Sequence, residues 1–431
     1  MCKKIGYTGL LLVFVFLAFL FSSCGSAATS QAGSAAAGGT AQQDAPEQAE
    51  IRLLMLASNS ANLVNGAGGA DGFYYVQPRP DNILTGNLRY IDYATGQDVA
   101  LSAQINSDHS DQSDPSYLDS VVGEYGVFLW QDQMYYLQSG ASGYETGELK
   151  EKALGALYRM EPDGSERTLL YQTGAGSTLL GDVAGNEQGE LYLLEQTTSG
   201  VDLIKLDTKK QQRTVLSSFE FGTRLLGAAS SQLYLTCVDP GTQQGASYQV
   251  ISYAPGTNQT KEVLSWTDST SGTPLLSEDT IYFFPYDQPT AQLYSLKGEA
   301  KGSIDLSSEL SGRNVYEQIY QVGNSIFLPI YDGSTKEYGA IIISTRDQST
   351  QVSWSKFHDE EKNEDYSAVV MAETGDSLLV LTQRTFEEAT MPQGDGTSIT
   401  VSFPRYGFSL MSKQDYLSAH TTDVQKIQMR S

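Results

Sequence analysis

Cysteine is scarce in this chain. Of its three cysteines, Cys2 and Cys24 fall within the first 24 residues, and only Cys237 lies in the remainder. The main body of the chain therefore cannot form an intramolecular disulfide. Cys237 lies in an apolar, strand-like run at 233–238, which favours a buried, unreactive thiol over a nucleophile.

Histidine is equally rare, and the common catalytic signatures are missing. His109, His358 and His420 are far apart in sequence, and no His-x-x-x-His or Cys-x-x-Cys pattern exists, which argues against a zinc site. The chain has no Gly-x-Ser-x-Gly elbow and no glycine-rich phosphate loop ahead of a helix. Paired carboxylates for glycoside hydrolysis stay open, because folding assembles such pairs without a fixed spacing.

Basic residues are also in the minority. The chain has 27 Lys and Arg against 51 Asp and Glu, a formal net charge of −24. This charge works against non-specific binding of nucleic acid or anionic lipid headgroups. It could favour basic partners, although solubility alone accounts for it.

The apolar run at residues 10–21 is short for a membrane span. Its 12 residues fall below the ~20 that a spanning helix needs, and Lys3 and Lys4 precede it, as in a signal peptide. Residues 21–25 resemble the lipobox of bacterial lipoproteins, with Phe21 where that family usually has an aliphatic residue. The resemblance implies a signal peptide at 1–23, a lipid on Cys24, and a protein anchored to the cell membrane facing outside the cytoplasm. The alternative is an uncleaved membrane anchor.

Residues 24–50 form the predicted linker. After Cys24 they are mostly Ala, Gly, Ser, Thr and Gln, a composition that cannot bury enough surface to fold. A flexible chain of this length reaches about 25–30 Å. No second composition break follows, so residues 51–431 are predicted to form one domain.

That domain repeats one short pattern, in which an apolar-aromatic strand is followed by a loop and two further strands. Taking the second residue of each apolar-aromatic strand as a marker, the separations are 61, 57, 42, 48, 45 and 52 residues. The repeated strands are at 73–76, 134–137, 191–194, 233–236, 281–284, 326–329 and 378–381. An all-β repeat of this length predicts an all-β, seven-bladed β-propeller of four-stranded antiparallel blades, with six or eight blades as alternatives. Residues 51–57 are predicted to form an extra strand that closes the ring on the last blade.

Two segments resemble repeats of known families. Residues 88–96, with their Asp-x-x-Thr-Gly turn, resemble the repeat of PQQ-type bacterial propellers. Residues 156–170 resemble TolB-like and YWTD-type repeats. These motifs form strands and turns and carry no chemistry. The tryptophan that docks PQQ-type blades is absent from nearly every unit, Trp266 and Trp354 excepted, so we expect no quinone and no other cofactor.

The candidate binding residues are tyrosines near long loops. Loops between the second and third strands of a blade emerge on the same face as the links between blades. On this face the sequence predicts long loops at 77–87, 139–155, 239–247, 331–338 and 384–404, and insertions collecting on one face are typical of a binding face. Neutral loop growth is the alternative. Tyrosine supplies rigid amphipathic contact area, so the predicted partner-binding residues are Tyr144, Tyr331, Tyr338 and Tyr406.

Two acidic segments of the sequence are candidate cation sites. Asp108, Asp111 and Asp114 could bind Ca²⁺, but they lack the spacing and the terminal Glu of a known calcium loop, so a solvated loop is favoured. The run at 359–365 is interpreted as exposed charge between blades.

Together these features predict a lipid-anchored propeller that binds a protein, peptide or glycan through its long-loop face. One alternative is a propeller hydrolase or lyase that acts on surface polysaccharide with carboxylates around the central channel. Another is a scaffold subunit of an envelope complex. An apolar-aromatic patch would favour partner binding, and converging Asp, Glu and Arg side chains would favour an enzyme.

Overall fold

The computed structural model describes residues 49–56, 65–102, 104, 107–141, 154–242, 245–267, 271–316, 318–359, 363–392, 397–420 and 424–430. The predicted signal peptide, Cys24 and nearly all of the predicted linker lie outside these residues.

Seven four-stranded antiparallel blades form a β-propeller, which confirms the predicted fold class and blade number. In each blade the chain runs from the innermost strand to the outermost. An additional strand, β1 (Ile51–Leu56), precedes the first blade. Blade one contains β2 (Ala67–Gly68), β3 (Gly72–Pro78), β4 (Gly86–Asp92) and β5 (Gln97–Ala100), with β6 (Tyr117–Leu118) beside β4. Blade two contains β7 (Tyr125–Trp130), β8 (Gln133–Gln138), β9 (Ala156–Met160) and β10 (Thr168–Gln172). Blade three contains β11 (Thr178–Asn186), β12 (Glu190–Gln196), β13 (Val201–Asp207) and β14 (Gln212–Phe219).

The remaining blades follow the same order, with two local variations. Blade six divides its inner strand in two, and a separate hairpin links it to blade seven. The strands are β15 (Arg224–Ala229), β16 (Gln232–Thr242), β17 (Gly245–Ala254) and β18 (Gln259–Thr267) in blade four; β19 (Gly272–Ser277), β20 (Thr280–Pro285), β21 (Thr290–Ser295) and β22 (Ala300–Asp305) in blade five; β23 (Arg313–Val315), β24 (Tyr320–Val322), β25 (Ser325–Asp332), β26 (Glu337–Ser344) and β27 (Thr350–Ser353) in blade six; β28 (Lys356–Asp359) and β29 (Glu364–Ser367) in the hairpin; and β30 (Val369–Thr374), β31 (Ser377–Pro392), β32 (Ser398–Ser412) and β33 (Gln425–Lys426) in blade seven, with β34 (Gln428–Met429) after it.

The core lies between neighbouring blades, and strand β8 shows why. Met134 and Tyr136 pack with residues of blade one, while Tyr135 and Leu137 point the opposite way and pack with residues of blade three. Successive side chains of a strand alternate between the two faces of its sheet. A strand covered on both faces must therefore be apolar throughout, and this requirement produces the repeated apolar-aromatic pattern of the sequence.

The prediction that residues 51–57 form a strand that pairs with the last blade is wrong about the partner. Strand β1 does form, but it pairs antiparallel with β11, the innermost strand of blade three, and Ile51 Nα donates to Ser230 O at 2.5 Å in blade four. Ile51 and Met55 are buried against blades two to four. Because the inner edge of β11 faces the channel, it offers unpaired backbone groups to an apolar strand.

The carboxyl-terminal segment joins the first and last blades instead. Strand β33 adds to β32, and β34 then pairs in parallel with β5 of blade one. Gln428 Nα donates to Gly96 O at 2.9 Å, and Arg430 Nα donates to Asp98 O at 2.8 Å. The residues at 424–429 are thus divided between two blades.

Helix is almost absent from the described residues. They contain one α-helix, α1 (Lys413–Ser418), capped by the Ser412 side chain, which accepts from Asp415 Nα. No helix in this part of the chain is long and apolar enough to cross a membrane.

Candidate functional site

The two faces of the propeller carry different connections. We call the long-loop face the one that carries residues 79–85, 286–289 and 333–336, which join second to third strands. We call the short-turn face the one that carries the turns at 131–132, 187–189 and 230–231.

Three of the predicted long loops are largely strand. Residues 239–242 and 245–247 continue β16 and β17, the segment at 331–338 leaves only four residues between β25 and β26, and residues 384–392 and 397–404 extend β31 and β32. In each case the two strands go on pairing beyond the blade. Most of the predicted loop at 139–155, including Tyr144, lies outside the described residues.

The extension of β31 and β32, residues 382–392 and 397–407, projects from blade seven, and we call it the arm. Its β31 edge meets blade one: Thr390 Nα donates to Pro80 O at 3.1 Å, and Ile83 Nα donates to Thr390 O at 3.1 Å. Arg405 pairs with Glu387 at 2.8 Å and also donates to Pro78 O. The arm therefore lies against the long-loop face of the neighbouring blade.

Tyr331 and Tyr338 are brought together directly. They are cross-strand partners in blade six, with ring centroids 4.8 Å apart. Tyr316 packs edge-on against Tyr338, with centroids 5.2 Å apart. All three rings are half-buried, and we call them the tyrosine cluster. Aromatic pairs of this geometry add about 0.5–1.5 kcal/mol to packing, so the cluster is a firm, partly solvent-accessible surface.

A tryptophan and an arginine border the tyrosine cluster. The Arg313 guanidinium lies 4.9 Å from the centre of the Trp354 ring and forms an ion pair with Asp332 at 3.3 Å. Hydrogen bonds from the Ser334 hydroxyl and backbone, with smaller help from Arg313, lower the pKa of Asp332 to about 2. This cation already has its counterion.

A second arginine lies among aromatic rings at the base of the arm. The guanidinium carbon of Arg384 is 5.1 Å from the centre of the Phe386 ring and 5.9 Å from that of Tyr366. Tyr406 is its cross-strand partner. Burial raises the pKa of Tyr406, and the charge of Arg384 opposes that rise. Burial, with a smaller contribution from Tyr406, raises the pKa of Tyr125 on blade two.

Of the four predicted tyrosines, the structure thus places two in one cluster and Tyr406 beside Arg384. Sequence reasoning missed Tyr316, Trp354, Tyr366 and Arg384 as surface residues. Tyr366 follows the acidic run at 359–365, of which Asp359, Glu364 and Asp365 belong to the β28–β29 hairpin. The Tyr366 ring stacks on Phe357 with centroids 5.4 Å apart. An aromatic residue that follows a charged run was the available signal.

The acidic loop uses its carboxylates internally. Asp114 is buried and accepts from the Ser116 hydroxyl at 2.7 Å, the Ser102 hydroxyl at 2.9 Å and His109 Nδ1 at 2.8 Å. Asp108 accepts from Ser110, and Asp111 from Ser113. No group of three His, Cys, Asp or Glu side chains that could hold a metal ion occurs in the described part of the chain.

The central channel holds a polar cavity beside β1. Its volume is ≈740 Å³, and blades four to six line the side opposite β1. Arg224 pairs with buried Asp182 at 3.2 Å and with Glu124 at 3.2 Å. These three groups come from three different segments, which sequence spacing could not reveal.

Cys237 is a free, half-buried thiol on β16. Burial raises its pKa, and a hydrogen bond from Thr223 only partly offsets this. A raised pKa keeps the thiol protonated and unreactive.

Comparisons with known proteins bear on the fold alone. No protein-family model and no curated protein matches this sequence. Among solved structures, the β-propeller domain of the Trilobed protease from Pyrococcus furiosus matches with a TM-score of 0.51 and 7% identity, over 88% of this chain and 98% of that chain. Puromycin hydrolase matches with a TM-score of 0.50 and 10% identity, over 85% of this chain and 53% of its own.

This chain therefore spans about half the length of that hydrolase. TolB from Acinetobacter baumannii matches with a TM-score of 0.37 and 12% identity, over 86% of this chain and 83% of that chain, a likeness too low to carry an argument. At these identities the shared feature is the propeller architecture.

Proposed function

We propose that the protein is an exported, lipid-anchored β-propeller that binds a protein or peptide partner through its long-loop face. The tyrosine cluster is the observation that carries this proposal. Three half-buried rings from blade six lie together on the face that also bears the arm. Tyrosine and tryptophan are enriched in the residues that dominate binding energy at protein interfaces, because they give a large contact area at low entropic cost.

The position at which the chain enters the propeller, at Ile51, supports binding through the long-loop face. Ile51 pairs with Asn186, next to the turn at 187–189, and hydrogen-bonds to Ser230 in the turn at 230–231. The first described residues of the propeller therefore lie on the short-turn face. The chain therefore enters the propeller on the side away from the proposed binding face.

A double substitution in the tyrosine cluster tests the binding proposal. Tyr331→Ala with Tyr338→Ala is expected to abolish capture of the partner by cross-linking on intact cells. Tyr294→Ala is the matched control, because Tyr294 is a half-buried tyrosine near the short-turn end of blade five. Thermal unfolding of both variants confirms that each one folds. Equal partner recovery by the double variant and the wild type would refute the proposed binding face.

The anchoring proposal has a separate test. Cys24→Ala is expected to remove lipid labelling and to release the protein from membranes or leave it unprocessed. Unchanged mass and unchanged lipid labelling in that variant would discard the lipoprotein assignment.

The channel supports a second candidate function, a hydrolase or lyase that acts on surface polysaccharide. The ≈740 Å³ cavity is lined by Arg224, whose guanidinium pairs with Glu124 and Asp182, and this arrangement is the observation that favours it. Turnover of a wall glycan by the wild type that Glu124→Gln abolishes, with no protein partner captured, would place the enzyme first. Recovery of a stable multi-subunit envelope complex would instead identify a scaffold subunit.

A further inference from the structure

Arg384 is a half-buried cation to which the described residues supply no counterion. Among the described residues it forms no ion pair and no hydrogen bond, and its Nε atom is buried with no acceptor. Its contacts are the faces of Tyr366 and Phe386. A buried N–H group left without a partner costs about 1–3 kcal/mol. Such a site calls for an explanation beyond the stability of the fold.

The neighbouring arginines of the same face show the contrast. Arg313 pairs with Asp332, Arg405 pairs with Glu387, and Arg79 pairs with Asp81. In a chain of net charge −24, carboxylates are abundant, yet none of the carboxylates that the structure describes pairs with Arg384. The two aromatic rings hold the guanidinium in place, since a cation over a ring face is worth about 0.5–2 kcal/mol. No described residue accepts a hydrogen bond from its terminal nitrogens.

A strand edge lies beside this cation. Tyr406, the cross-strand partner of Arg384, belongs to β32, whose residues 398–407 hydrogen-bond through the backbone to no described residue outside β31. An exposed edge offers a row of unpaired N–H and C=O groups that an extended peptide can join as an added strand. Strands so paired lie about 4.8 Å apart. An acidic side chain on the added strand, on the same face as Tyr406, then lies within reach of the long Arg384 side chain.

We infer that the arm binds an acidic peptide segment, which adds to the free edge of β32 and places a carboxylate on the guanidinium of Arg384. This inference rests on the proposed function and specifies the chemistry of its partner. Arginine and carboxylate form paired, charge-assisted hydrogen bonds, which are stronger than neutral ones. The carboxylate of the ligand supplies the counterion that the described residues do not give Arg384. The free strand edge favours a peptide over a glycan, because a peptide backbone can pair with it.

Selection from a random twelve-residue peptide display library against the purified protein tests this inference. Peptides selected on the wild type are expected to be enriched in Asp and Glu over the library. Their affinity, measured by fluorescence anisotropy, is expected to fall at least about tenfold in Arg384→Gln, the loss of one charged hydrogen bond. Arg346→Gln is the matched control, because Arg346 is an arginine at a turn of the short-turn face whose partner is the neutral amide of Asn324. Its effect is expected to stay below about twofold.

The outcomes separate this inference from the proposed function. Selected peptides without acidic enrichment, or equal binding by Arg384→Gln, overturn the inference. If those peptides are still lost in the Tyr331→Ala, Tyr338→Ala variant, the proposed face stands. Peptides that bind both this double variant and Arg384→Gln as well as they bind the wild type overturn the face itself. Failure to select any peptide, with an oligogalacturonate probe bound in an Arg384-dependent manner, assigns the site to an acidic glycan and overturns the peptide inference.

Discussion

Asp114 shows how a single buried carboxylate can organise a loop. Its carboxylate gathers donors from Ser102, His109 and Ser116, and so ties the link between blades one and two into a fixed turn. Burial of Asp114 raises its pKa, but hydrogen bonds from Ser107, Ser116 and His109 outweigh burial and hold the pKa below its ordinary value. The charged form is therefore the one that the native state favours.

A pH-dependent loss of stability follows. The contribution of Asp114 is fully present above the unfolded-state pKa of about 3.9 and is lost as the pH falls below it. Asp114→Asn is expected to lower the free energy of unfolding by about 1–3 kcal/mol at pH 7, with the difference from wild type shrinking at pH 3. Urea unfolding at both pH values measures it.

Asp108→Asn is the control for this prediction, because Asp108 is an exposed carboxylate of the same loop. Its substitution should change stability little at either pH. A deficit for Asp114→Asn that is the same at pH 7 and pH 3 would show that the charge of Asp114 is irrelevant.

At the scale of elements, the pairing of β1 with blade three determines how much of the central channel stays open. It covers the inner edge of blade three and packs its apolar side chains against the clusters on either side of that blade. Part of the channel is therefore filled by the protein itself, and the remaining cavity is bounded by β1 and blades four to six. The arm plays the complementary role on the long-loop face, where it presents a free strand edge.

The packing of β1 can be measured through one side chain. Ile51 is 3% exposed, so Ile51→Ala is expected to lower the free energy of unfolding by about 2–5 kcal/mol. Ile399→Ala removes the same atoms from a side chain that is 48% exposed on the arm and should cost less than about 0.5 kcal/mol. Similar effects for both substitutions in chemical denaturation would mean that β1 does not pack in the channel.

At the scale of the whole molecule, closure of the ring depends on contacts between blades seven and one. The arm reaches residues 80–83, and β34 joins β5. Buried Arg89 connects these contacts to the core, because it pairs with Asp98 at 2.8 Å and donates to Arg430 O at 2.9 Å. Tyr75 completes the group through a 2.7 Å hydrogen bond to Asp98.

Removing residues 427–431 is expected to weaken this closure. Three hydrogen bonds across the seam, from Gln428, Arg430 and Arg89, are lost, at about 1 kcal/mol each. The free energy of unfolding should therefore fall by about 2–4 kcal/mol, and amide exchange should accelerate in β5. Met429→Ala, at a side chain that is 50% exposed, keeps the backbone pairing and should behave as wild type. Unchanged exchange in β5 after the truncation would show that the ring closes without this segment.

The sequence by itself determined the repeat and therefore the propeller. Each central strand, such as β8, must be apolar on both faces because it is covered on both, and that demand is visible residue by residue. The turn at residues 92–96 was equally readable: Thr95 Nα donates to the Asp92 carboxylate, and Gly96 adopts φ +66°, a conformation that favours glycine.

Only the tertiary structure decided which edges meet and which side chains converge. A strand pattern specifies a buried face but no partner, so β1 could be predicted as a strand and not assigned to blade three. Strand pairing brought Tyr331 onto Tyr338, and it placed Arg384 among aromatic rings, where no carboxylate of the described residues pairs with it. Such contacts join residues distant in sequence, and no local spacing encodes them.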